Sequence, residues 1–278
     1  MISWLHAPEN PLIAKYIECY WFLERTPDND GSQYPKLNPD PCAHLIIAPE
    51  VQDYHYALSD STQQGQGSHW LCPHSQTYQM DHSKPVVILG IKFHPGALYA
   101  LGISATQPAC DQVYDLVLSD LFDDELFNSE KLFTNARTNP VLCQTQLEHY
   151  LIPLLEQAKP DRHSELVHQA LPLLNDTPIS QLGDLLHCSQ RTLERSFLRV
   201  TGITLKQCQS MNKLDALLTS LYQQEAKDID WTNVALEFGF SDQPHLIRYL
   251  KSSIGVTPKQ YAKQRDLVVD VYGGVESI

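Results

Sequence analysis

ISQLGDLLHCSQRTLERSFLRVTG, residues 179–202, reads as two short helices around a tight turn, and the chain repeats the pattern about fifty residues later. Leu193, Arg195, Phe197, Gly202, Ile203, Thr204, Lys206 and Gln207 recur 53 positions on (246 − 193 = 53) as Leu246, Arg248, Leu250, Gly255, Val256, Thr257, Lys259 and Gln260. Upstream the offset falls to 52, pairing Leu182 with Val234, Leu186 with Phe238 and Ser189 with Ser241, so the second copy carries one extra residue. A repeat at fixed offset marks a duplicated structural unit.

Each unit predicts a helix-turn-helix. In the first, Ile179, Leu182, Leu185 and Leu186 share one helix face, and Ser189 is placed to cap the next helix. In the second, Val234, Ala235 and Phe238 form the face, Gly239 supplies a positive φ that closes the helix, and Ser241 is the expected cap. With Leu193 and Phe197 turned inward at 100° per residue, Arg191, Arg195, Leu198 and Arg199 point away and Glu194 flanks them. In the repeat, Leu246 and Leu250 face inward, Arg248 and Lys251 face out, and Gln243 and His245 lie on the flanks. Such a face suits a major-groove reader, in which Arg pairs with guanine, Gln with adenine and the remainder with phosphate. One such helix could equally be a solvated surface; two with Arg at the same register favour the reader.

The span 179–262 resembles the DNA-binding domain of the AraC/XylS transcription regulators, two helix-turn-helix units joined by one helix, and the signature GFSDQPHLIRYLKSSIGVTPKQY, residues 239–261, carries most of the likeness. The resemblance implies that double-stranded DNA is bound, with base or backbone contacts at Gln190, Arg191, Glu194 and Arg195 in the first unit and Asp242, Gln243, His245 and Arg248 in the second. Reading the faces adds Arg199 and Lys251. Two departures stand out. Pro244 replaces a small polar residue; it is tolerable in a first turn, where the N–H has no helical partner, but removes one contact. The connecting helix, 206–221, has only Lys206 and Lys213 as cations, which predicts few phosphate contacts.

The charge balance fits this division. Residues 1–177 hold 9 basic and 22 acidic residues (−13), 178–265 hold 11 and 8 (+3), and 266–278 hold three acids, so the chain's net −13 conceals a mildly basic segment where the readers lie. The boundaries expected are 1–162 for a sensor or regulatory domain, 163–265 for the DNA-binding domain and 266–278 for an acidic tail. A chain of 278 residues is long enough for two such cores.

The first domain is expected to be α+β, a small cupin-like or related β-barrel followed by helices, and the second all-α. Runs at 18–23, 44–48, 54–58, 69–72 and 86–93 are aromatic or β-branched and separated by turn residues, while 28–40 and 60–68 read as exposed loops. Helices are expected at 96–101, 115–127, 141–157 and 164–175. Leu147, Leu151, Leu154 and Leu155 line one face of the third, as a dimer seam or as core packing on the barrel. YIECYWF (16–22), PDPCAHLI (39–46) and GIKFHPGAL (90–98) are similar to the N-terminal domain that precedes this DNA-binding module in one AraC-type subgroup, which implies a sensor of unspecified ligand.

Other chemistry is poorly represented. Seven cysteines without a Cys-x2-Cys pair disfavour a disulfide framework or a zinc ribbon and suit a reducing cytoplasm, and the N-terminus lacks the charged and apolar regions of an export signal. His44, His55, His69, His74, His82 and His94 have no spacing that puts two on one strand or helix face, so no metal or other cofactor is expected. Nucleotide and hydrolase motifs are missing. Trp21, Trp70, Tyr54, Tyr56 and Tyr78 serve either a ligand pocket or the core. The expected function is a sequence-specific transcription regulator, not an enzyme, whose N-terminal domain senses a small molecule or protein partner, with RNA polymerase and a second copy of the chain as further partners. A cupin-like metal-dependent enzyme domain fused to a DNA-binding module is the alternative.

Overall fold

A computed structural model describes residues 2–26, 32–58, 60–103, 110–122, 127–225 and 227–268. The N-terminal part contains β1 (Ile2–His6), α1 (Pro11–Ala14), β2 (Ile17–Arg25), β3 (Lys36–Leu37), β4 (Ala43–Ile47), β5 (Asp53–Ala57), β6 (Thr62–Gln66), β7 (His69–Leu71), β8 (Tyr78–Met80), β9 (Val86–Phe93), α2 (Ala97–Ala100) and β10 (Val113–Asp115). They form two antiparallel sheets, in the orders β1-β2-β9-β4-β7-β10 and β3-β8-β5-β6.

The expected barrel is corrected to an open pair of sheets. Where β6 meets β10 the junction is made by side chains instead of a backbone ladder. Val113 N donates to Gln63 Oε1 (2.7 Å), Gln63 Nε2 donates to the Asp111 carbonyl (3.1 Å), and Tyr54 Oη donates to Asp115 Oδ1 (2.5 Å). A long amide spanning the gap satisfies both chains without drawing them to the ~4.8 Å spacing of paired strands. Among the described residues, β1 and β10 therefore remain edges of one sheet, and β3 and β6 of the other.

Two further expectations are overturned here. The polar stretch within 60–68 is the edge strand β6, paired with β5 from Asp53↔Gln66 to Ala57↔Thr62; at an edge its polar side chains reach water, so no apolar alternation announces it. Helix 115–127 is replaced by β10 and a 3-10 turn at Leu118–Asp120, with 123–126 outside the described residues; Leu116, Leu118 and Leu121 cover the core from irregular chain.

Two helices, α3 (Ser129–Thr138) and α4 (Pro140–Glu156), cover the larger sheet, each capped by an asparagine, Asn128 and Asn139. Leu147 and Leu151 are fully buried and Leu155 nearly so, in one core with Phe22, Leu89 and Phe93. Of the two readings of the leucine face, core packing is the one observed for Leu147, Leu151 and Leu155, with Leu154 partly buried against the same core. Trp70, Tyr56 and Tyr78 are also buried, whereas Trp21 and Tyr54 are partly so.

The C-terminal part contains α5 (Arg162–Ala170), α6 (Ile179–Leu185), α7 (Gln190–Thr201), α8 (Leu205–Tyr222), α9 (Trp231–Glu237), α10 (Gln243–Ile254) and α11 (Pro258–Gln264). Two cores divide it. Leu182, Leu193, Phe197 and Val200 gather with Val167 of α5, and Val234, Leu246, Leu250 and Tyr261 gather around the second half of α8. Helix α8 belongs to both, giving Cys208 and Met211 to the first and Leu214, Leu218 and Leu221 to the second. Of the acidic tail only residues 266–268 are described; 269–278 lie outside.

Candidate nucleic-acid interface

The duplication is visible atom by atom. Helices α6 and α9 are both seven residues long, α7 and α10 both twelve. Helix α6 ends with Cys188 N bonded to the Gly183 carbonyl (2.9 Å) and His187 N to that of Asp184 (3.2 Å); α9 ends with Phe240 N to Ala235 O (2.7 Å) and Gly239 N to Leu236 O (3.0 Å). This pair of hydrogen bonds is the Schellman closure, which needs a left-handed residue. Gly239 supplies it at φ +66, and its counterpart is the non-glycine His187 at φ 52. Helices α7 and α10 both end at a left-handed glycine, Gly202 (φ 78) and Gly255 (φ 76). Reciprocal capping boxes then start the following helices, Thr204 with Gln207 and Thr257 with Gln260.

The inserted residue can now be placed. Ser189 caps α7, taking the Thr192 amide at 3.1 Å, but the cap of α10 is Asp242, taking the His245 amide at 2.7 Å. The expected cap at Ser241 is therefore wrong by one: the extra residue lies in the second turn, before the cap. A carboxylate at this position also opposes the positive end of the helix, as the shorter hydroxyl dipole cannot.

On α7, Leu193, Ser196, Phe197 and Val200 are buried, and Arg191, Glu194, Arg195, Leu198 and Arg199 are exposed; Gln190 is half-buried and donates to Glu194 Oε1 at 3.0 Å. On α10, Leu246, Leu250 and Ile254 are buried, and Gln243, Pro244, His245, Arg248 and Lys251 are exposed. Arg191, Arg195, Arg248 and Lys251 make no ion pair shorter than 4.0 Å among the described residues, so their charges face solvent.

Five of the ten sequence candidates are engaged within the protein: Gln190 with Glu194, Asp242 as the cap of α10, and His245 and Arg199. His245 folds back on its own turn, its Nδ1 3.3 Å from Ser241 Oγ and its ring edge-on to Phe240. Arg199 turns to the N-terminal domain, where its Nε donates to Tyr99 Oη (3.1 Å), and Tyr99 in turn donates to Asp161 Oδ2 (2.9 Å). Of the two lysines on α8, Lys213 lies 3.8 Å above the Phe240 ring, and burial pulls its pKa down. No sequence signal announced the Tyr99 contact, because its partners lie a hundred residues apart.

The histidines of the first domain are used structurally. His69 Nε2 meets Tyr56 Oη at 2.9 Å and its Nδ1 the Gly67 carbonyl at 2.9 Å; His74 sits between the Cys72 and Asn38 carbonyls, and His44 pairs with Asp40 at 3.2 Å. No group of three or more His, Cys, Asp or Glu side chains arranged to hold a metal ion occurs among the described residues. All seven cysteines are free thiols. No helix among the described residues is long and apolar enough to cross a membrane.

Two family models match, one on each part of the chain. A family model described as a helix-turn-helix domain matches residues 182–264, and one described as a domain of unknown function (DUF6597) matches residues 5–113. No curated protein matches the sequence. Among solved structures, ToxT from Vibrio cholerae aligns over 87% of this chain and 98% of its own at 10% identity, with a TM-score of 0.44. ToxT from Vibrio cholerae O395 aligns over 87% and 96% at 9% identity, with a TM-score of 0.48. The AraC-like transcriptional activator CuxR aligns over 77% and 86% at 11% identity, with a TM-score of 0.27. The duplicated units of 179–264 thus coincide with the span matched by the helix-turn-helix domain family, and a separately matched, β-rich segment lies in front of them.

Proposed function

We propose that this protein is a sequence-specific transcription regulator in which α7 and α10 enter adjacent major-groove segments on one face of the DNA. The observation that carries the reading is the matched pair of outward faces, with Arg195 and Arg248 at the same register of two helices that both end at a left-handed glycine followed by a capping box. Arg191, Glu194, Arg195 and the half-buried Gln190 form the first reading set; Asp242, Gln243, His245, Arg248 and Lys251 form the second. Arg199 belongs instead to the contact with the N-terminal domain. Base discrimination falls to the arginines and Gln243, phosphate contact to Lys251 and the helix N-termini.

Residues 1–162 act as the sensor and 163–265 as the reader. The sensor responds to a small molecule or a partner protein, and control passes through its contacts with α5 and α7. RNA polymerase and a second copy of the chain are its expected partners at the promoter, and the cytoplasm its compartment. No chemical transformation is assigned to the first domain: His69 is committed to a bond joining β7 to β5, and His44 and His74 to bonds with Asp40 and the Asn38 carbonyl, which supports the non-enzymatic reading over a metal-dependent one. Selection of bound sequences from random DNA, followed by footprinting, tests the reading. The expected product is one asymmetric site spanning two major-groove segments; a short palindrome, or no enriched sequence, would overturn it.

A further inference from the structure

Beyond Tyr99 and Arg199, the second helix-turn-helix unit has its own connection to the N-terminal domain, made by the chain that leaves α11. Arg265 stops that helix in the left-handed region (φ 47, ψ 49), and its guanidinium donates to the Leu221 and Gln224 carbonyls at 2.9 and 2.8 Å, at the end of α8. A cation fits there because the helix end gathers unpaired carbonyls. So fixed, the chain turns outward and runs along β3, the edge of the smaller sheet. Lys36 N donates to the Asp266 carbonyl (2.8 Å), Lys36 Nζ meets Asp266 Oδ2 at 2.6 Å, and Lys36 and Leu267 form a parallel bridge.

The two side chains that follow divide between domains. Leu267 is 1% exposed within the core of the second unit, and Val268 packs against the cluster of Tyr56, Tyr78 and Met80 in the sheet. A second bond lies alongside, from Thr77 Oγ1, just before β8, to the Ser253 carbonyl near the end of α10 (2.8 Å). The first unit is held elsewhere, by Arg199 on Tyr99. The two readers are thus pinned to different parts of a domain that carries most of the chain's negative charge.

We propose that residues 266–268 form an interdomain latch: by adding to the β3 edge they hold the second helix-turn-helix unit against the acidic N-terminal domain and restrain DNA binding. With the latch closed, α10 cannot reorient towards DNA without breaking strand pairing, an ion pair and the Thr77 bond. The acidic domain also stays close enough to repel phosphate. With the latch open, the second unit moves on α8 alone.

The restraint on DNA binding rests on the function proposed above, whereas the latch itself does not, and the test separates them. In the full chain, Lys36→Asp sets two carboxylates against each other, and Lys36→Asp with Asp266→Lys restores the pair in reverse. Hydrogen exchange without DNA should quicken at least threefold at Lys36 and across residues 258–268 in the single variant, stay unchanged in α7, and return in the double variant. Affinity for the selected DNA should rise threefold or more in the single variant and return in the double. Unchanged exchange, or exchange not rescued by the reversed pair, overturns the latch; unchanged or weaker DNA binding with quickened exchange overturns the restraint. A wild-type chain that binds no DNA overturns the proposed function while the exchange result still decides the latch.

Discussion

His187→Gly should make the first unit more stable, and the duplicated architecture supplies its own control. His187 occupies the left-handed position of the Schellman closure at φ 52, where the second unit has Gly239 at φ 66. A side chain in that region costs about 1–2 kcal/mol through contact of Cβ with the following carbonyl. Glycine removes that strain but adds about 0.5–1 kcal/mol of backbone entropy to the unfolded chain. The difference leaves roughly 0.5–1 kcal/mol in favour of glycine, since the His187 side chain is exposed and gives up no packing. The reverse change, Gly239→Ala, places a methyl where no atom lies within 4 Å, so its cost of about 1 kcal/mol is conformational alone. Exchange of the Cys188 and Phe240 amides, whose bonds close the two turns, reads each change locally. His187→Gly should slow exchange at Cys188 by about two- to fivefold, and Gly239→Ala should quicken it at Phe240 by about fivefold, each leaving the other copy alone. Faster exchange at Cys188 in His187→Gly would refute the strain argument.

Arg195→Ala and Arg248→Ala should each cost about 1–3 kcal/mol at the selected DNA site while sparing random DNA, as titrations on both would show; equal losses on both would mark them as phosphate clamps. Five base pairs inserted between the two half-sites rotate one by roughly half a turn, so single-chain binding should vanish from a mobility-shift assay. Gly90→Ala would set a methyl 2.0 Å from Trp21 Cε2, and thermal melting should reveal a loss of about 1–3 kcal/mol. Burial holds the pKa of both His69 and His82 down to about 4. Below pH ~6.5 the unfolded chain therefore takes up protons that the fold refuses, and stability should fall as pH drops towards 4, by up to about 3 kcal/mol per histidine. Urea midpoints that hold steady between pH 7 and 5 would contradict this.

The C-terminal architecture was legible because its signals are local and doubled. Leu193 with Phe197, and Leu246 with Leu250, mark inward faces by spacing alone, and Gly202, Gly255, Thr204 and Thr257 mark ends by conformational need. The cap at Asp242 was missed because the offset changes inside the turn, and serine and aspartate on either side of that change are both good caps. In the N-terminal domain, strands with buried faces such as β2 and β9 were visible, whereas β6 was hidden, because an edge strand needs only backbone partners. Sheet closure was unreadable for a related reason: it depends on where Gln63 reaches across to Val113, fifty residues away. Of the ten candidate contacts, most lie on exposed faces as helical geometry requires, but the diversion of Arg199 to Tyr99 depends on the docking of two domains, which no periodicity records.

Helix α8 acts as a ruler. Its 18 residues give an axial length of about 27 Å, and each end belongs to the core of a different reader. Inserting one residue would lengthen it by only about 1.5 Å but would twist one reader against the other by about 100°. A longer α8 therefore cannot be reached in single-residue steps without misaligning the two readers proposed above. Only changes near two whole helical turns, about seven residues, restore the relative orientation of the two readers. On the proposed function, α8 therefore fixes the spacing between half-sites, while the exposed side chains of α7 and α10 support neither core and can be exchanged without disturbing it.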